Sequence, residues 1–79
     1  MRIQIGYFAL LREQTGLSQE TYETDETTPR GVFKELRAHY GLSLELHQIK
    51  VAINDKFANI DQTLNDGDKL VFIPPVAGG

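Results

Sequence analysis

The stretch LNDGDKLVFIPPVAGG, Leu64 to Gly79, decides how the rest of the chain is read. Asp66–Gly67 is a tight-turn signal, because glycine accepts the positive φ that such turns need. The run Leu70-Val71-Phe72-Ile73 is apolar on both parities. That is the pattern of a strand buried on both faces, and so one central in its sheet. Pro74 and Pro75 supply no amide protons, so the ladder stops there and the chain leaves it extended. Val76, Ala77, Gly78 and Gly79 follow.

A central last strand needs partners, and the upstream sequence offers them. Ile3, Ile5 and Tyr7 alternate with Arg2, Gln4 and Gly6, a period-two strand pattern. FALLREQTG, residues 8–16, predicts a short helix closed by Gly16 in a left-handed cap. Glu20, Tyr22 and Thr24 alternate with Thr21 and Glu23, which predicts a second, more exposed strand. Thr28 and Pro29 suit the cap and first position of a long helix, with Asp25 and Glu26 on the side its dipole favours. Val32, Phe33, Leu36 and Tyr40 share one side of that helix, and Gly41 ends it. Ile49, Val51 and Ile53 predict a third strand, Asn54–Asp55 a turn, and KFANI a short return strand. The stretch from Leu42 to Gln48 is assigned to no element.

Together these elements predict an α+β domain. A mixed sheet of about five strands carries one main helix across one face, with a short helix after the first strand. The last strand pairs with the first, which is a β-grasp, or ubiquitin-like, arrangement. Residues 1–75 form the domain and residues 76–79 a flexible tail.

Composition narrows the function. A chain of 79 residues buries only about 60% of its unfolded surface, so stability is modest and one core is expected. There is no cysteine, which excludes disulfides, thiolate-bound zinc and a cysteine nucleophile. A net charge of −3 argues against nucleic acid, which wants a basic face. No signal peptide or membrane span is legible, so a cytoplasmic location is expected. His39 and His47 lack ligand-like spacing, Asp66 and Asp68 lack the rest of a calcium loop, and no base is placed beside Thr15 or Ser18. Gly6 and Gly16 form no phosphate-binding motif.

What remains is the tail. Four extended residues reach roughly 13 Å, enough to cross the wall of a partner's active site. Gly78 and Gly79 have no side chains, so they thread a narrow channel and leave the last carbonyl carbon open to attack. A carboxylate there becomes an electrophile once a partner converts it to an acyl-adenylate. Sulfur as nucleophile gives a thiocarboxylate, and a lysine amine gives a protein conjugate.

The chain resembles the small subunit of molybdopterin synthase, a family of ubiquitin-like sulfur carriers. The resemblance rests on Asp66-Gly67-Asp68, Leu70 to Ile73, Pro74-Pro75-Val76 and Gly78-Gly79, together with Phe8, Ala9, Arg12 and Glu13 near the start and Val51 to Asn54. It implies that the Gly79 carboxylate is the reacting group, adenylated by an E1-like enzyme with MgATP and thiocarboxylated by a sulfur-transfer protein. The chain itself binds no cofactor. Pro75, Val76, Ala77 and Gly78 then enter the large synthase subunit, in a heterotetramer of two small and two large chains. Sulfur passes to cyclic pyranopterin monophosphate, and the catalytic side chains belong to the large subunit.

Phe8, Arg12, Phe72 and Ile73 are candidate docking residues. Arg12 also reads as a solvated helix charge and Phe8 as a core aromatic. Phe72 and Ile73 alternate, so one faces the helix and the other the opposite sheet face. Three other readings stay open: a thiamine-pathway sulfur carrier, a protein modifier attached through Gly79 to lysines, and a non-catalytic β-grasp interaction module.

Overall fold

The computed structural model describes residues 1–75. Strand β1 spans Arg2–Tyr7, helix α1 Ala9–Thr15, β2 Gln19–Glu23, α2 Pro29–Tyr40, β3 Lys50–Ile53, β4 Lys56–Ala58 and β5 Lys69–Ile73. A three-residue 3-10 turn at Leu46–Gln48 precedes β3. The strands form one sheet in the order β2-β1-β5-β3-β4. β5 lies in the middle, parallel to β1 and antiparallel to β3, and the two outer pairs are antiparallel. The predicted elements are all present, with ends shifted by a residue or two. The predicted tail, residues 76–79, lies outside the described residues.

Local chemistry explains the boundaries. The Thr28 hydroxyl accepts from the Gly31 N–H at 3.3 Å, and Pro29 opens α2. Gly41 closes it at φ +68, with its N–H donating to the Arg37 carbonyl at 2.9 Å. Asn54 and Asp55 both take positive φ, as a two-residue hairpin loop between twisted strands requires. The Asn54 side chain also anchors the start of β5: its Oδ1 accepts from the Lys69 N–H at 3.0 Å, and its Nδ2 donates to Asp68 Oδ1 at 2.9 Å.

The core sits between α2 and one face of the sheet. Ile3, Ile5 and Tyr7 of β1, Val51 and Ile53 of β3, and Leu70 and Phe72 of β5 meet Val32, Phe33 and Leu36 of α2. The Phe33 and Phe72 ring centroids are 5.3 Å apart. Each such side chain stabilises the fold by roughly 1.5–3 kcal/mol through burial. Leu42 and Leu44 also enter the core, and Leu46 packs against it. Those three leucines alternate, so the stretch left without an assigned element runs extended along the core and then turns.

Where α2 meets the outer strand β2, the seam is polar. Glu20 Oε2 accepts the Tyr7 hydroxyl at 2.5 Å and the Tyr40 hydroxyl at 2.7 Å. Glu35 Oε1 accepts the Thr24 hydroxyl at 2.5 Å and, more loosely, that of Tyr22 at 3.3 Å. Burial, reinforced by Glu20, drives the Tyr7 phenol far above its ordinary pKa and pushes Tyr40 up to about 12.

Candidate functional site

Parallel pairing decides where the site lies. Because β1 and β5 run in the same direction, Tyr7 and Phe72 are register partners at one end of the sheet. The β1–α1 corner therefore stands beside the point where β5 ends. Phe8, Ala9, Leu10 and Glu13 from that corner, Leu44 from the extended stretch, and Ile73, Pro74 and Pro75 together line one largely apolar groove. Pro74 is buried and Pro75 exposed, so the described chain reaches the surface at the groove's edge.

The corner is built to show its aromatic ring. Phe8 occupies the N-cap position of α1 and makes no capping bond, although caps favour Ser, Thr, Asp or Asn. Ala9 then takes φ +48, a left-handed conformation that alanine seldom adopts. Phe8 is left 53% exposed. The core reading of Phe8 is thus overturned: the chain turns before its side chain can go inside.

A second surface adjoins the groove. The sheet face opposite α2 carries no covering element among the described residues. Across it, Gly6 pairs with Val71, Val71 with Ala52, and Ala52 with Phe57, so these four residues form one row over four strands. Phe57 is 78% exposed. Val71 is buried without a second layer, because Gly6 lets it lie close: a Cβ on Gly6 would stand 3.2 Å from Val71 Cγ2. Ile73 lies on the same face and also lines the groove, joining the two surfaces. Lys50 and Lys69 flank the row, Lys69 held 3.5 Å from Asp55.

The predicted docking residues separate on this geometry. Ile73 and Phe8 are brought together in the groove. Phe72 is fully buried against Phe33, so it has no surface to offer a partner and is corrected to a core residue. Arg12 is exposed and makes no ion pair among the described residues, and the charged side chain lining the groove is that of its neighbour Glu13. Gly79, Val76, Ala77 and Gly78 lie outside the described residues. Sequence reasoning missed Phe57, Val71 and Leu10. A phenylalanine placed in the return strand directly after the Asn54–Asp55 turn was the available signal for Phe57. Among the described residues no group of three His, Asp or Glu side chains is placed to hold a metal ion, and no helix is long and apolar enough to cross a membrane.

A five-stranded sheet with first and last strands paired in its middle, and one long helix packed across it, defines the ubiquitin-like β-grasp class. Solved structures of that class share it. The small archaeal modifier protein 1 from Methanosarcina acetivorans superposes with a TM-score of 0.78 at 22% identity, over 99% of this chain and 96% of its own. A chain from the complex of subunits 1 and 2 of molybdopterin-converting factor from Helicobacter pylori gives 0.69 at 24% identity, with 100% of both chains covered. In sequence, the molybdopterin synthase sulfur carrier subunit of Escherichia coli is 31% identical over 98% of this chain and 99% of that protein. The ThiS family model matches residues 5–79, and the chain belongs to the ThiS family.

Proposed function

We propose that this chain is the sulfur carrier of a molybdopterin synthase and that Gly79 is its reacting residue. One observation carries the reading: central strand β5 delivers the chain to the surface at Pro75, beside an apolar groove and an uncovered apolar sheet face. The likeness to the Escherichia coli sulfur carrier subunit along nearly the whole chain supports the choice of pathway.

The chemistry needs little from side chains. The Gly79 carboxylate attacks the α-phosphorus of MgATP in an E1-like partner, and pyrophosphate leaves. Sulfide-level sulfur delivered by a transfer protein then attacks the acyl carbon, the C–O bond to AMP breaks, and the thiocarboxylate is left. Pro75, Val76, Ala77 and Gly78 carry it into the large subunit, where sulfur passes to cyclic pyranopterin monophosphate. The rigid domain's part is docking. The groove around Phe8 and Ile73 and the row ending at Phe57 offer apolar contact, and Lys50 and Lys69 favour an acidic rim on the partner. Two such carriers on two large subunits make the assembly a heterotetramer.

The test is intact mass after incubation with the activating enzyme, MgATP and a sulfur source. The expected product gains the mass difference between sulfur and oxygen on its last residue. An unchanged mass with a partner of proven activity refutes the proposal. Lysine conjugates in place of thiocarboxylate would make the chain a protein modifier, and a deletion strain lacking thiamine rather than molybdopterin would move it to the other carrier branch.

A further inference from the structure

The turn that feeds β5 carries a chemistry that the carrier reading does not use. Asp66–Gly67 is the chain's sole Asp–Gly or Asn–Gly step. Aspartate before glycine is where a backbone most readily cyclises, because glycine has no side chain to shield its amide nitrogen. The Gly67 nitrogen attacks Asp66 Cγ and a C–N bond forms. The amide proton leaves with the carboxyl hydroxyl as water, closing a succinimide ring. Water then opens the ring at either carbonyl. One opening restores aspartate. The other leaves the main chain running through the side-chain carbonyl, one methylene longer, with no net change in mass.

Both reacting groups are held by a single residue of β1. The Arg2 N–H donates to Asp66 Oδ1 at 2.8 Å, and the Gly67 N–H donates to the Arg2 carbonyl at 2.8 Å. The attacking nitrogen and the carboxyl it must reach are therefore each pinned to a different group of the Arg2 backbone. The flanks are tied as well, since Asp68 Oδ2 accepts from the Asn65 N–H at 2.8 Å while its Oδ1 accepts from Asn54. Asp66 and Gly67 are themselves exposed, so exclusion of water is not what protects them.

We propose that Asp66–Gly67 is a site of backbone isomerisation and that the Arg2 amide and carbonyl hold the reaction off in the folded chain. An extra methylene here would lengthen the path into β5 shortly before Lys69, where its pairing with Gln4 begins. Damage at this turn would thus reach the strand that presents the tail.

Two variants separate the backbone bracket from the side chain. Arg2→Pro removes the N–H that holds Asp66 and keeps the carbonyl. Arg2→Ala removes the ion pair with Glu23 and keeps both backbone groups. The full chain is incubated at neutral pH, and isoaspartate in the peptide spanning residues 64–69 is followed by peptide mapping. Wild type and Arg2→Ala stay low, and Arg2→Pro accumulates the isomer on the order of tenfold faster, the worth of one released hydrogen bond. Equal rates in Arg2→Pro and wild type overturn the proposal. So does equal acceleration in Arg2→Ala, or a folded wild type that isomerises as fast as the urea-unfolded chain. Should Arg2→Pro fail to fold, amide exchange of Gly67 in the wild type decides: protection like that of ladder amides supports the bracket, and exchange at the free-peptide rate refutes it.

Discussion

Phe57 and Phe72 are both strand phenylalanines, and their surroundings give them opposite tasks. Phe72 is sealed against Phe33, so Phe72→Ala removes a filled volume and should cost about 3–5 kcal/mol in denaturant titration. Phe57 is mostly exposed, so Phe57→Ala should change stability by less than about 0.5 kcal/mol. The same change should weaken large-subunit binding by a factor on the order of ten, measured by calorimetry. The tyrosines predict a pH dependence. Tyr7 and Tyr40 are shifted up in the fold, while an unfolded tyrosine loses its proton near about pH 10. Below that pH both states keep their phenol protons and the contribution is complete. Above it the unfolded chain ionises first, so stability falls as pH rises towards about 12, where Tyr40 titrates in the fold. Denaturation across alkaline pH should show this slope, and Tyr40→Phe should flatten it.

At the level of elements, the turns and caps were the most legible part of the sequence, because each rests on one residue's conformational limits. Thr28-Pro29, Gly41 and Asp66–Gly67 all sit where their chemistry requires. Gly67 takes φ +87, and a Cβ added there would meet nothing within 4 Å, so Gly67→Ala tests conformation without a clash. It should lower stability by about 1 kcal/mol, read from the melting midpoint. The strand β5 was legible for a partly different reason than expected. Its double apolar parity predicted cover on both sides. The structure instead buries Leu70 and Phe72 under α2 and places Val71 and Ile73 on the uncovered face. Leu42, Leu44 and Leu46 do alternate with period two, but they run along the core without ladder partners and end in a three-residue turn, so the pattern marks core contact without marking a strand.

At the scale of the whole molecule, the topology could be argued from sequence and the surface could not. A central strand at the end and a strand at the start leave few economical sheets. The row Gly6-Val71-Ala52-Phe57 draws on residues from four strands that are far apart along the chain, and no local pattern announces such a row. The same holds for the groove, which joins the β1–α1 corner to Leu44 and Pro74. The division between domain and tail is open to a direct test. Removing residues 76–79 should leave the melting midpoint unchanged, since the core is complete by Phe72, and should abolish thiocarboxylation. A large drop in melting temperature would place the tail in the fold instead.

The pairing of β1 with β5 has a consequence for how the protein is made. Until the ribosome has added Ile73, β1 has a neighbour on one side only, and α2 has half a sheet to cover. A nascent chain that stalls before that residue cannot complete its core and remains a target for proteolysis. Folding competence therefore arrives with β5, the last strand and the centre of the sheet, and not gradually along the chain.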